Sequence, residues 1–315
     1  MTIAATHNDL ASTRPGGKLS GRQPLGIVVR VAFSVALLAA ALYFAPEKLE
    51  WRQLLAVSPA SIGLCLVLSG LLVWLLAWRW QLLVSMRNGD GASTPGLGSF
   101  IRATWLALAV NQVLPSVVGG DVLRISMLAR RGLPMLKAGE SVVMDRIYGL
   151  AALALICLAT WPVIGMALSG PAMLALASLV AVALAVLAIV LAGDRFRELC
   201  RSFWLMLSFR RGGLLLLLAV AGHAANIAIF LIMAHGLGID LPIMPTVAIM
   251  SGVLLTSVLP FSIAGWGIRE FTLVQAFDSM GIYQDKIVLA SIAYGLLLLA
   301  TQAGGFLLLA WRSRP

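Results

Sequence analysis

Long runs of apolar residues dominate the chain and predict membrane-spanning helices. They fall near residues 26–45, 60–83, 141–168, 171–192, 213–235 and 287–311. Each run approaches the roughly 20 residues that a helix needs to cross the hydrocarbon core of a bilayer. Tryptophans near the predicted ends of these runs, Trp80 among them, are expected to mark the membrane interface. The pattern therefore predicts an all-α, polytopic membrane protein with about six full spans.

Two further regions, about 97–133 and 244–282, do not resemble simple spans. The first contains VLPSVVGGDVLR and the second VLPFSIAGWGIR, so the spacing V-L-P-x4-G-x3-R occurs twice, 145 residues apart. Backbone that is not helical at membrane depth is tolerated only where it is buried in protein or lines a wet cavity. We therefore predict two re-entrant hairpins, each of which enters and leaves the membrane on the same side.

The residue types at the predicted turns suit such hairpins. Proline lacks the N–H group that a helix interior needs, and glycine permits tight backbone turns. The turn residues are Pro115, Gly119, Gly120, Pro260, Gly265 and Gly267. Forming the hairpins is a sufficient role for them.

The distribution of basic residues favours this topology. With the N-terminus in the cytoplasm, two hairpins keep most of the 23 Lys and Arg residues on the cytoplasmic side, as membrane proteins usually do. If residues 97–118 crossed the membrane, Arg124, Arg130, Arg131 and Lys137 would lie outside. In this topology Arg79 belongs to the cytoplasmic basic residues, and both termini are cytoplasmic.

The predicted elements recur in the same order with inverted orientation. Each half contains two spans, a hairpin and a third span, and Tyr-Gly-Leu at 148–150 recurs at 294–296. We predict an inverted repeat, a design of secondary transporters, with residues 25–168 as the first membrane repeat and 169–315 as the second. Residues 1–24 are predicted to be a disordered cytoplasmic tail. The alternatives are a chance match in a Leu- and Val-rich chain and a cleaved signal peptide with a site near residues 39–41.

Composition supports the membrane assignment and excludes other classes of protein. Hydrophobic residues make up 60% of the 315 positions and charged residues 11%, whereas a soluble domain is about half apolar and a quarter charged. The net charge of +10 does not indicate nucleic-acid binding, because the basic residues lie between apolar runs. No cofactor or metal is predicted, because the three Cys and three His lack ligand spacing and no soluble-enzyme motif occurs.

Charged residues within the membrane region are the candidates for function, because each costs at least about 2.5–3.5 kcal/mol at a helix centre. Arg124 and Arg269 are the sharpest, since a guanidinium stays charged when buried and binds a phosphate through two N–H groups. We expect them to bind the phosphate of an anionic lipid in turn. The other residues expected to bind substrate are Asn111, Ser257, Ser262 and Trp266.

Nearby acids either neutralise these arginines or carry a coupling proton. Asp121 lies three residues before Arg124, and Glu270 directly follows Arg269, so structural ion pairs are the alternative to phosphate binding. A histidine on an apolar helix is a proton carrier or a polar packing residue. The residues assigned to coupling or ion pairing are Asp121, Asp145, Arg146, Glu270 and His223.

Three stretches resemble signatures of a known family: NQVLPSVVGGDVLR at 111–124, DRIYGL at 145–150 and LPFSIAGWGIRE at 259–270. The family is that of lysylphosphatidylglycerol synthase transmembrane domains, also called flippase-like domains. It includes the membrane half of the bacterial multiple-peptide-resistance protein. The resemblance covers about residues 25–311 and implies a place in the bacterial inner membrane.

The resemblance implies translocation of a lipid or a role beside lipid and glycan assembly. We expect a stand-alone transporter of an anionic lipid, not an enzyme, because 315 residues leave no room for the family's soluble aminoacyl-transferase domain. Movement would be downhill or ion-coupled, since no ATPase motif occurs. The alternatives are a membrane accessory subunit or enzyme that handles a lipid carrier in glycolipid, hopanoid or polysaccharide assembly, and a transporter of small anions. Partners would be the lipid and the enzymes of such assembly.

Overall fold

The structure is a computed structural model, and it describes residues 51–88, 94–113, 118–167, 210–256, 267–278 and 280–312. These ranges contain one short 3-10 helix, Trp51–Ala56, and eight α-helices, with no strand. The α-helices are α1 (Pro59–Asn88), α2 (Leu97–Val113), α3 (Val118–Ala129), α4 (Met135–Ala167), α5 (Arg210–Gly236), α6 (Ile243–Thr256), α7 (Ile268–Asp278) and α8 (Gln284–Arg312).

Four of the described helices are long and apolar enough to cross a membrane. The qualifying segments are Pro59–Met86 in α1, Met135–Thr160 in α4, Arg211–Gly236 in α5 and Gln284–Leu307 in α8. They coincide with the predicted spans at 60–83, 141–168, 213–235 and 287–311. The predicted spans at 26–45 and 171–192 and the predicted tail at 1–24 lie outside the described residues. The chain is a multi-pass α-helical membrane protein.

Two pairs of short helices occupy the regions that the sequence sets apart from the spans. α2 packs on α3, and α6 packs on α7. The four helices have 17, 12, 14 and 11 residues, so at about 1.5 Å per residue each is shorter than the roughly 30 Å hydrocarbon core. The connections at 114–117 and 257–266, with Pro115, Pro260 and Gly265, lie outside the described residues.

The second helix of each pair ends in the same way. Gly132 follows α3 with φ of 88°, and Gly281 follows α7 with φ of 73°, conformations that favour glycine. In both cases the N–H of the next residue bonds the carbonyl oxygen five residues earlier, at 3.2 Å. This is the Schellman arrangement, and it ends the short helix where the chain turns into the following long helix.

The contacts between helices correspond between the two halves. α1 and α5, the first described α-helices of the two halves, pack against each other. α4 packs on α6 of the other half, and α8 packs on α2. The pairs α1–α2 and α5–α6 correspond in the same way, as do α3–α4 and α7–α8. Each pair of short helices therefore contacts both its own half and the last helix of the other half.

Apolar side chains form separate clusters in the two halves. The larger one lies mainly among α5 to α8 and includes the buried rings of Phe230, Phe277 and Tyr294. A smaller one in the first half includes Trp80 and Phe100, whose rings meet edge to face with centroids 4.8 Å apart. Trp80 is fully buried, so internal packing rather than the membrane interface accounts for it.

Candidate functional site

Two buried arginines share one buried carboxylate in the first half. Arg79 on α1 donates from Nε to Asp145 Oδ1 at 2.7 Å, and Arg124 on α3 donates from Nη2 to Asp145 Oδ2 at 2.9 Å. None of the three residues is more than 6% exposed. Because an unpaired buried charge is very costly, the carboxylate on α4 allows both guanidinium groups to remain buried.

A second acid and a third arginine extend this network toward solvent. Arg146 donates from Nε and Nη2 to the two oxygens of Asp121, at 3.2 and 3.0 Å. Asp121 also lies 3.9 Å from Nη1 of Arg124. We call Arg79, Asp121, Arg124, Asp145 and Arg146 the first cluster. Its side chains carry three positive and two negative formal charges, a net charge of +1.

Arg124 contacts an aromatic ring and, among the described residues, has one unpaired hydrogen-bond donor. Its guanidinium carbon lies 4.0 Å from the centre of the Trp80 ring, a cation–π contact. Its buried Nε has no hydrogen-bond partner among the described residues. Arg124 can therefore donate one more hydrogen bond without losing the bond to Asp145.

A hydrogen bond between α2 and α3 positions the acid and the arginine of α3. The N–H of Gly120 donates to Asn111 Oδ1 at 2.9 Å. A Cβ atom at Gly120 would lie 2.6 Å from the backbone oxygen of Ala107 and 2.6 Å from Asn111 Oδ1, so glycine is required here. Asp121 and Arg124 follow on the next turn. Asn111 thus has a structural role, and its contact with a substrate stays a prediction.

The second half contains a corresponding cluster around Arg269. Nε of Arg269 donates to Glu270 Oε1 at 3.0 Å and to Ser291 Oγ at 2.9 Å. Ser291 also donates to Glu270 Oε1 at 2.8 Å, and the N–H of Gly267 donates to Oε2 at 2.7 Å. We call Arg269, Glu270 and Ser291 the second cluster. Glu270 and Ser291 are fully buried, and the formal charges of the cluster cancel.

An aromatic ring accompanies the second arginine as well. The guanidinium carbon of Arg269 lies 5.1 Å from the centre of the Tyr294 ring. The Tyr294 hydroxyl donates to Asn226 on α5. Each cluster thus places a buried guanidinium against a carboxylate and against an aromatic face.

The two clusters use corresponding positions with different chemistry. Ser291 follows Asp145 by 146 residues, the same offset that relates the two Tyr-Gly-Leu sequences. Ser291 contacts Arg269 as Asp145 contacts Arg124. In the second half the carboxylate comes from Glu270 instead, next to the arginine on the same helix. The halves therefore present arginine at the same place but neutralise it from different helices.

His223 lies beside the first cluster. Its Nε2 is 3.0 Å from the backbone oxygen of Gly149. A Cβ atom at Gly149 would lie 3.8 Å from Arg79 Nη2 and 3.9 Å from His223 Nε2, so both side chains border the same glycine. This contact is what a polar packing residue makes, and a role in proton transfer stays a prediction.

The structure separates the partners of one predicted pair and does not describe three other predicted site residues. Asp145 and Arg146 are neighbours but bond to different partners, Arg124 and Arg79 for the first and Asp121 for the second. The predicted substrate contacts of Ser257, Ser262 and Trp266 lie outside the described residues. These predictions are therefore untested.

Sequence reasoning misses Arg79 and Ser291. Charge counting assigns Arg79 to the cytoplasmic basic residues, although it lies inside the apolar run 60–83, the signal that marks a costly intramembrane charge. Ser291 carries no such signal, because a serine in an apolar helix is common and its partner lies 22 residues away. Only the 146-residue offset from Asp145 could have indicated it.

Each cluster contains a guanidinium group, which has the chemistry to bind an oxyanion. Guanidinium groups donate in the planar, forked geometry that matches phosphate and carboxylate. Within the described ranges, no group of three His, Cys, Asp or Glu side chains could hold a metal ion. The chemistry that these residues offer is hydrogen bonding to an anion by guanidinium groups.

Comparison with known protein families shows which family the chain belongs to. Residues 27–304 match the family described as the lysylphosphatidylglycerol synthase TM region, a range that includes both clusters. No curated protein matches the chain. Because the family match spans most of the chain, the protein belongs to the family of lysylphosphatidylglycerol synthase transmembrane regions.

Proposed function

We propose that the protein moves an anionic, phosphate-bearing lipid or lipid-linked headgroup between membrane leaflets, downhill or coupled to an ion. The observation that carries this proposal is the pair of buried arginines, Arg124 and Arg269, at corresponding positions in the two halves. Membership of the family supports a lipid-related role in the membrane. We propose no enzymatic activity for the described residues.

An inverted repeat with two re-entrant hairpins would give the protein two related states. The reciprocal contacts of α4 with α6 and of α8 with α2 support this arrangement. So do the short lengths of α2, α3, α6 and α7. In transporters of this design, one repeat moves against the other around a central site. Arg124 and Arg269 would then face the lipid phosphate from opposite leaflets in turn.

The first cluster is the better site for a phosphate. It carries an excess positive charge, and Arg124 retains a free Nε donor. A phosphate bound there would accept a hydrogen bond from Nε of Arg124 while Asp145 stays bonded to Arg124 and Arg79. At the second cluster the phosphate would have to displace Glu270 from Arg269. A displaced carboxylate that takes up a proton would provide the ion coupling.

Exchange of fluorescently labelled phosphatidylglycerol in proteoliposomes tests the proposal. We expect Arg124→Ala and Arg269→Ala each to abolish exchange. Arg102→Ala, which removes an exposed arginine of α2, is the matched control and should retain it. Arg124→Lys and Arg269→Lys keep the charge and serve where alanine prevents folding, and they too should slow exchange because the forked donor is lost.

The outcomes separate the proposal from its alternatives. Wild-type rates in both alanine variants would refute the anion role of the arginines. No exchange of any phospholipid or polyprenyl phosphate by folded protein would favour the accessory or enzyme alternative. Uptake of a soluble anion that lipids do not inhibit would favour a transporter of small anions.

The proposed topology, with cytoplasmic termini in an inner membrane, has its own test. In a cysteine-free background, a cysteine at Arg130 should react with a membrane-impermeant maleimide only after the cells are permeabilised. A cysteine at Asp240, on the connection between α5 and α6 and 89% exposed, should react in intact cells. Labelling of position 130 from outside would refute the first hairpin.

A further inference from the structure

A cavity of about 300 Å³ lies between α1, α2 and α8, and no residue of either cluster is among its described lining residues. Its volume is at the lower end of the range for ligand pockets. The residues that line it are Leu66, Ser69, Gly70, Trp105, Thr301 and Gln302, with further aliphatic side chains of the same three helices. None of these described lining residues is charged.

The cavity lies at the depth of the hydrocarbon core. Gly70 is roughly 16 Å along α1 from Pro59, and Thr301 is about 9 Å from the end of the apolar segment of α8. Leu66, on the cavity wall, is 49% exposed. In a membrane protein this exposed surface faces lipid chains, so the cavity is open to the bilayer from the side.

The hydroxyl groups and the indole N–H of the wall donate hydrogen bonds within the protein. The hydroxyls of Ser69 and Thr301 donate to backbone oxygens of their own helices, at 2.8 and 2.9 Å. The indole N–H of Trp105 donates to the backbone oxygen of Thr301 at 2.9 Å. Gln302 accepts a hydrogen bond from Gln112 at 3.0 Å. With its hydroxyl and indole hydrogens engaged, the wall suits a hydrocarbon chain and not a charged headgroup.

The cavity also adjoins the first cluster. Ile101 lines the cavity and packs against the apolar cluster that contains Trp80. The Trp80 ring carries the Arg124 guanidinium on its face. Ile101 and the apolar cluster that contains Trp80 therefore connect the cavity to the proposed phosphate site.

We propose that this cavity, the chain groove, holds a hydrocarbon chain of the same lipid whose phosphate binds at Arg124. The inference rests on the proposed function and specifies the substrate as a lipid bound by chain and headgroup. Bilayer chains are as apolar as the groove wall, so hydrophobic transfer contributes little affinity there. The groove instead selects the shape of the chain and aligns the headgroup with the arginine.

Two glycines on the same helix provide a matched test. A Cβ atom at Gly70 or at Gly63 would meet nothing within 4 Å, so a side chain can begin at either position without overlap. Gly70 lines the groove, whereas Gly63 does not. Gly70→Phe fills the groove, and Gly63→Phe adds the same ring to the same helix outside it.

The measurement is photolabelling by phosphatidylglycerol that carries a diazirine in its acyl chain, in vesicles of phosphatidylethanolamine and phosphatidylglycerol. Peptide mapping should find label on α1 near Gly70 and on α8 near Thr301, in wild type and in Gly63→Phe. In Gly70→Phe this label should fall to the level at Leu217, which is 63% exposed and reports lipid that surrounds the protein. Leaflet exchange should be lost in Gly70→Phe and retained in Gly63→Phe.

Photolabelling tests the chain groove and leaflet exchange tests transport, so the two proposals can fail separately. Equal groove labelling in Gly70→Phe and wild type, or none in wild type, would overturn the chain groove while leaving the arginine proposal standing. Groove labelling in a wild-type protein that exchanges no lipid would refute transport but keep the lipid site. A crosslink from the groove to another segment of this protein would show that the chain fills its own cavity, and would also overturn the inference.

Discussion

Replacing Asp145 by asparagine tests the first cluster most directly. The change preserves the size of the side chain but removes the carboxylate that Arg79 and Arg124 share. Each lost bond is a charge-assisted hydrogen bond, worth about 1.5–3 kcal/mol. Breaking a buried ion pair by removing one partner costs about 3–5 kcal/mol. We therefore expect Asp145→Asn to lower the free energy of unfolding by about 3–5 kcal/mol.

The charge balance of the first cluster also predicts how much stability is lost when Arg79 is replaced. Arg79→Gln leaves Asp145 paired with Arg124 and removes the excess positive charge, so it should cost less than Asp145→Asn. The assay is reversible unfolding in mixed detergent micelles, followed by circular dichroism. Asp240→Asn, at an exposed pair with His235, is the control and should leave stability unchanged. If Asp145→Asn is no more destabilising than that control, or if Arg79→Gln costs more than Asp145→Asn, the description of a shared buried carboxylate is wrong.

Three further substitutions test the packing around the clusters in the same unfolding assay. Gly120→Ala should cost about 1–3 kcal/mol because its Cβ overlaps the backbone of α2, whereas Gly98→Ala, in open space on α2, should be neutral or slightly stabilising. Gly305→Ala should destabilise by a similar amount, because its Cβ would lie 2.6 Å from the Trp105 backbone oxygen. Trp80→Leu removes a desolvated cation–π contact and the hydrogen bond from the indole N–H to Ser141 and leaves a cavity, so it should cost about 2–5 kcal/mol; a neutral result would mean that Trp80 is not packed against Arg124 as described.

The sequence predicts the long helices well because a span must be apolar over about 20 residues. The apolar run of α5 at 213–235 lies within three residues of the helix at each end. The prediction is less accurate at α4, which begins at Met135 rather than near 141. Lys137 and Glu140 are good helix formers, so the helix continues beyond the apolar run that hydropathy detects.

The partners within each cluster are harder to predict than the residues themselves. Consecutive helical residues point about 100° apart, and Asp145 and Arg146 bond to different partners even though they are adjacent. Which arginine reaches Asp145 depends on how α1 and α3 pack on α4. That packing is set by apolar contacts and by the close approach of α3 to α2 at Gly120, neither of which local sequence patterns encode. Charge within an apolar run identifies the candidates, and only tertiary structure pairs them.

Because the carboxylate comes from a different position in each half, a shift between helices would affect the two ion pairs differently. In the first cluster the acid and the arginine lie on different helices, α4 and α3, so a shift of α3 against α4 would release Arg124 from Asp145. In the second cluster Arg269 and Glu270 are on α7 and would move together. In the proposed transport, a movement between helices would therefore separate the ion pair of the first cluster, whereas only a competing anion would separate Glu270 from Arg269.

Moving the carboxylate from position 270 on α7 to position 291 on α8 tests this difference. Ser291→Asp alone would place a second buried acid beside Arg269 and should be strongly destabilising, by about 3–5 kcal/mol if both acids stay charged. Adding Glu270→Gln restores one acid for one arginine and moves it to the long helix, as in the first half. We expect the double variant to be more stable than Ser291→Asp, and the two effects on unfolding to be far from additive. Additive effects would mean that the carboxylate introduced on α8 does not contact the arginine, and the proposed correspondence of positions 145 and 291 would then fail.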